Sequence, residues 1–157
     1  MSAFKQLITD LQATEAAYIQ ASELFTGPPV LPLLTENLGD LTNQVAASLK
    51  KLSLCILLST PIIDPTEYPE IELTQTIQVT EIVSTNRAYP GTRIPAPDIA
   101  LHLVGLLWTW QPGPLWSPLQ FERQHMVNAS PLIYEVVFKT RILIQIESNQ
   151  TENGGNE

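Results

Sequence analysis

Two histidines, one cysteine and a crowd of acids are the residues of this chain that could do chemistry. His102 follows Asp98 by four positions, one helical turn, and such a pair could orient an imidazole for proton transfer. A hydrogen bond on a helix surface is the simpler reading. His125 lies close to Arg123 in a polar stretch, with nothing around it that suggests a ligand. Cys55 sits inside Leu54-Cys55-Ile56-Leu57-Leu58, where a lone cysteine serves as a small buried hydrophobe. It has no second cysteine with which to form a disulfide or a zinc set. Asp64, Glu67, Glu70 and Glu72 could hold calcium, but their spacing lacks an EF-hand's glycine and terminal glutamate, so a solvated acidic loop accounts for them. No G-x-S-x-G, Walker A or G-x-G-x-x-G is present. Trp108, Trp110 and Trp116 cluster as sugar- or base-stacking aromatics sometimes do. Two of them, however, fall on an apolar segment, where core or subunit interface is the default. No cofactor or metal is expected.

The elements that must position these residues follow from periodicity. Phe4, Leu7, Leu11, Thr14, Tyr18, Ala21 and Phe25 recur at spacings of three and four, a helix with one narrow stripe, ended by Gly27-Pro28-Pro29. Leu34, Leu38, Leu41, Val45, Leu49 and Leu52 repeat helically, with Gly39-Asp40 as an interruption, Asp40 as an N-cap and Lys50 and Lys51 in the last turn. Leu52 to Ile63 reads as a buried strand closed by Pro61 and Pro65, and Asp64 to Glu70 as a surface loop. Ile71, Leu73, Ile77 and Val79 share one parity, with Gln75 the exception. Glu72, Thr74, Thr76, Gln78 and Thr80 take the other, and a parity change near Glu81 would mark a bulge. A loop stiffened by three prolines spans Asn86 to Pro97, and Pro97-Asp98 opens a helix reaching Trp110. That helix is apolar around most of its circumference, which predicts cover on more than one side, in part by another subunit. Leu115 to Ser130 reads as irregular, with a short strand near Phe121 to Met126. Leu132, Tyr134, Val136, Phe138, Ile142, Ile144 and Ile146 then line one face of a long strand. The order predicts an α+β fold, a mixed or antiparallel sheet of about four strands flanked by two or three helices. Residues 1–147 are expected to form one domain and 148–157 a polar, mobile tail.

The totals narrow the class. Over 157 residues, 44% are hydrophobic, ordinary for a globular chain, but only 15% are charged, which leaves a surface that is largely uncharged or faces another protein. The net charge of -8 argues against a dedicated nucleic-acid binder and against anionic lipid. No apolar run approaches the ~20 residues of a membrane span, and no signal peptide is expected.

One pattern goes further. An apolar strand ends in Ser59-Thr60-Pro61, and a Thr/Val strand closes with Glu81 and Asn86-Arg87. Gly91-Thr92 and Ile94-Pro95-Ala96 follow, then a helix reaching Leu106-Leu107-Trp108-Thr109-Trp110-Gln111-Pro112 and a last strand Tyr134-Glu135-Val136-Val137-Phe138-Lys139-Thr140. From Leu52 to Ile144 this resembles the small tail-terminator and tail-completion proteins of tailed bacteriophages and prophages. It departs from them where relatives often carry Leu-Leu-His-x-Trp, since Trp108 and Thr109 fill that region. The resemblance implies a non-enzymatic virion protein made in the bacterial cytoplasm. It would form a ring, usually six-fold, on the head-proximal end of the tail tube, stopping tube growth and offering a surface to the head connector. DNA would pass through the lumen without specific binding, which suits an acidic subunit. Glu81, Asn86, Arg87, Arg93, Leu101, Trp108 and Trp110 are the candidates for contacts between subunits. Equally, Asn86 and Arg87 could cap and hydrogen-bond their own loop. A head-completion or tube-like role, a small enzyme using Asp98 and His102, and an adaptor binding through the Trp-rich helix are the rival readings.

Overall fold

The structure, a computed structural model, describes residues 3–22, 30–32, 38–88 and 94–144. Among them the elements run α1 (Ala3–Gln20), β1 (Val30–Pro32), α2 (Leu38–Leu52), β2 (Leu54–Leu58), β3 (Ile62–Asp64), β4 (Glu70–Glu81), α3 (Val83–Asn86), α4 (Ala96–Leu107), β5 (Gln120–Ala129) and β6 (Leu132–Leu143). The fold is α+β. One mixed sheet runs in the order β1-β2-β4-β6-β5, with β3 also on β4, six strands among the described residues where about four are expected. Only β1 on β2 is parallel; every other pair is antiparallel.

The β4–β6 pair is the spine. Its register is unbroken from Glu70↔Leu143 to Glu81↔Leu132. β4 alternates half-buried and buried residues along its whole length, so Ile71, Leu73, Gln75, Ile77, Val79 and Glu81 all face inward. The expected parity change at Glu81 is therefore absent. A charged residue stands at an inward position and only imitates a slip. Gln75 is likewise in phase, and buried.

The main core joins this face to α4. Leu54, Ile56 and Leu58 of β2, Ile77 and Val79 of β4, and Val136 and Phe138 of β6 pack with Ala96, Ile99, Ala100, Leu103 and Leu107. Ile19 of α1 completes it, while Leu11 of α1 joins Ile71, Leu73, Trp116 and Ile142 in a second cluster. On the other side of β2 the Cys55 side chain is held by burial beside Ser48 of α2.

Several boundaries differ from expectation for identifiable reasons. The strand expected over Leu52 to Ile63 is two pieces. α2 runs on to Leu52, and Ser53, at φ 59, makes the turn into β2. The later break contains Pro61, which has no amide to donate to the ladder, and the chain resumes as the exposed β3. α2 runs uninterrupted through Gly39-Asp40, with Asp40 inside its first turn rather than at its cap, and Lys50 and Lys51 close the last turn. The buried stripe of α1 is Leu11, Gln12, Glu15 and Ile19, rotated from the expected one. Thr14 and Ala21 are exposed and Tyr18 is 37% exposed. Two polar side chains lie inward there because the sheet offers them polar neighbours. α4 stops at Leu107, with Trp108 already extended and Thr109 at φ 69. β5 is a full ten-residue edge strand. Its register shifts at Phe121/Arg123 and Met126/Asn128, and these bulges scramble the alternation that would have revealed it.

The Phe25 and Gly27-Pro28-Pro29 end of the first helix, Leu34, Tyr89 to Arg93, the continuation of the last strand from Gln145 and the 148–157 tail all lie outside the described residues.

Phe138 is fully buried and meets Phe121 edge-on with ring centroids 5.9 Å apart. Phe138→Ala should destabilise the fold by about 3–5 kcal/mol, read as a lower urea midpoint at unchanged slope.

Candidate functional site

The best-built polar arrangement joins the end of β4 to the start of α4. Glu81 is fully buried. Its Oε1 accepts the Ala96 amide at 2.9 Å and its Oε2 accepts Asn86 Nδ2 at 2.8 Å. Arg87 Nε lies 3.7 Å from Oε2, on a side chain that is 58% exposed. The same Asn86 amide group donates to the Ile94 carbonyl at 3.3 Å. The local sequence explains the geometry. α4 begins after Pro95, which brings no side-chain acceptor to the helix start, and Pro97 has no amide. The Ala96 amide is thus the orphan donor of the first turn, and Glu81 takes it while adding negative charge at the positive end of the helix. The four-residue α3, begun by the Asn86 amide bonding to the Ile82 carbonyl at 2.9 Å, carries Asn86 back over the carboxylate.

The seven candidate contact residues therefore have different situations. Glu81 and Asn86 are enclosed, with partners inside their own chain. Arg87 is exposed at the rim, and Arg93 lies outside the described residues. Trp110 is half-buried and stacks on Tyr18 with centroids 4.5 Å apart and planes 10° from parallel, which fixes α1 to the end of α4. Leu101 is 67% exposed and Trp108 49% exposed. They stand with Gly105 at helical spacing on the outer flank of α4, and a Cβ on Gly105 would meet nothing within 4 Å. Among the described residues one face of this helix is buried and this flank is bare. Trp108 leans on Phe121 of β5 at 5.4 Å, so the flank continues onto the edge strand, where Met126 is 53% exposed.

Sequence reasoning missed the second polar feature, an ionic lattice on the face of the sheet opposite α4. Arg141 reaches Glu70 and Glu72 at 3.3 Å and Glu67 at 3.8 Å. Lys139 reaches Glu122 at 3.4 Å and Glu72 at 3.5 Å. His125 faces Glu135 at 3.5 Å, and Glu135 accepts from Gln78 at 3.0 Å. The acidic loop thus closes on a guanidinium, and no cluster able to hold a metal ion occurs among the described residues. Cross-strand pairing of β4 with β6 brings these ions together, and that register was the missing information. Hydrogen bonds with Glu70 and Glu122 raise the pKa values of Arg141 and Lys139, keeping both cationic.

His102 Nε2 lies 2.8 Å from Ser22 Oγ, tying the end of α1 to α4. Cys55 is buried, and burial pushes its thiol up to about 11. No helix among the described residues is long and apolar enough to cross a membrane.

No protein-family model matches the chain, and neither does any curated protein sequence.

Three outcomes check these placements. Glu81→Ala leaves the Ala96 amide and Asn86 without their acceptor in a buried place and should destabilise by about 3–5 kcal/mol. Arg87→Ala, at the exposed rim, should change stability by less than about 1 kcal/mol. Cys55 should react with a disulfide reagent at pH 8 only as fast as the chain unfolds, since a buried thiol near 11 presents almost no thiolate.

Proposed function

We propose that this chain is a structural subunit of a phage or prophage tail, a tail terminator that closes into a ring on the head-proximal end of the tail tube. The ring, six-fold in the family it resembles, would stop tube growth and offer the head connector its seat. The observation that carries the reading is the bare outer flank of α4, where Leu101 and Trp108 face solvent and Gly105 leaves room for a close neighbour. Two large apolar side chains on one helix, continuous with the free edge strand β5, suit a heterologous contact repeated around a closed rotation. The rigid Glu81 junction supports the role, because it fixes the direction in which α4 presents that flank. The net charge of -8 supports it too, since DNA must slide past such a subunit without adhering. A cofactor has no part in this reading, and the chain's work is contact and closure rather than catalysis.

The test joins the purified chain to its tail-tube protein and images the products by negative stain, with light scattering in parallel. The expected outcome is tubes of limited length bearing a collar at one end. Leu101→Asp and Trp108→Asp should abolish the collar and let tubes lengthen, while each monomer keeps its melting temperature within a few degrees, because both side chains are exposed. Uncapped tubes with the unaltered chain, or collars that tolerate both substitutions, would overturn the assignment.

A further inference from the structure

α1 lies beside the sheet rather than in it, and half of its buried stripe is polar. Gln12 is 1% exposed and its Nε2 donates to the Ser59 carbonyl at 3.3 Å. Glu15, one turn on, is fully buried. Gln75 of β4 faces it closely enough to lower its pKa slightly, yet neither carboxyl oxygen reaches a donor in hydrogen-bond geometry, and Gln75 Oε1 also lacks a partner among the described residues. Three enclosed acceptor oxygens with only the Gln75 amide group beside them are a poor place for a carboxylate. One proton on Glu15 resolves the arrangement by turning an acceptor into a donor.

α1 is otherwise held by its packing beside β1 and by side-chain contacts to distant parts of the chain. Tyr18 stacks on Trp110, Ser22 pairs with His102, and Leu11 and Ile19 enter the two apolar clusters. We propose that α1 is a separable arm, docked on the sheet far more firmly while Glu15 carries a proton, and that its release uncovers the apolar surface of Ile71, Leu73 and Ile142. Release would leave the β4–β6 spine paired, because the strand register does not involve α1.

The direction of the coupling follows from burial. Burial raises Glu15 from its ordinary 4.5 to about 8, with Gln75 the opposing influence. No ionised side chain is among the causes acting on it. The undocked arm takes up a normal carboxyl, so docking is insensitive to pH below about 4.5. Between about 4.5 and about 8 it weakens about tenfold per pH unit, because the free arm sheds a proton that the docked arm keeps. Above that range it is flat again. His102, which bonds Ser22, is the titratable group meeting α1 from α4, and it requires its own control.

Hydrogen exchange of the full chain from pH 5 to 9, corrected for the intrinsic rate, reads the arm and the spine separately. Amides of α1 should lose protection about tenfold per pH unit from about 5 to about 8, while those of β4 and β6 hold constant. Glu15→Gln, which keeps the shape and supplies a donor, should flatten the α1 profile. Glu15→Leu should flatten it as well, through an apolar side chain. His102→Asn should leave the slope in place. Parallel loss in α1 and the spine, a slope that survives both Glu15 substitutions, or a slope that vanishes in His102→Asn would each overturn the proposal.

Discussion

A buried carboxylate at the seam between sheet and helix is the constraint on which this fold is arranged. Glu81 ends one of the two longest strands and, through the Ala96 amide, begins the helix that packs on the main core. An enclosed carboxylate must find donors or destabilise the fold, so the two elements cannot shift relative to each other without stranding it. Its second oxygen holds Asn86, and Asn86 holds the Ile94 carbonyl, so both described ends of the intervening loop are fixed by the same acid. Sheet, short helix, loop and long helix thereby become one rigid corner.

That corner was legible in part. The succession of Glu81, Asn86-Arg87 and Ile94-Pro95-Ala96 stands out in the sequence, but what the residues touch depends on an inward-facing parity at Glu81. The hydrophobic alternation cannot reveal that parity, because it counts a charge as outward. Gln75 hid for the same reason. Both acid and amide are in phase with Ile71, Leu73, Ile77 and Val79, and both are buried. The stripe of α1 differs from the expected one by the corresponding effect, since a count of apolar positions passes over Gln12 and Glu15, which lie on the buried face. Periodicity locates elements well where inward residues are apolar, as in β6, and fails where the interior is polar. β5 was legible only as a short strand near Phe121 to Met126, because an edge strand with two bulges has no consistent alternation along its full length.

The two faces of the sheet divide the labour. One buries nearly all the apolar side chains beneath α4 and α1. The other carries acids and bases in register across β4, β6 and β5, with Arg141 and Lys139 each shared among several carboxylates. These pairs are largely exposed and individually weak, so their main effect is to neutralise local charge on that part of the sheet. The exposed apolar side chains Leu101, Trp108 and Met126 lie instead at the side of the molecule, where α4 and β5 meet. In the proposed ring, contact through that side would be directional.

Directionality also explains why a bare flank on α4 differs from mere imperfect burial. Leu101 and Trp108 stand on a helix whose start is fixed by Glu81 and whose end is fixed by the stack of Trp110 on Tyr18. Beyond Trp108, Thr109 donates to the Leu119 carbonyl and Leu119 donates back to Trp110, both at 2.8 Å, which locks the exit as well. A side chain on a loop could fold away from water, whereas these cannot turn inward without unmaking bonds at both ends of the helix. Their exposure is therefore imposed by the frame, and a surface held open at the expense of hydration is most simply satisfied by a second surface of matching shape.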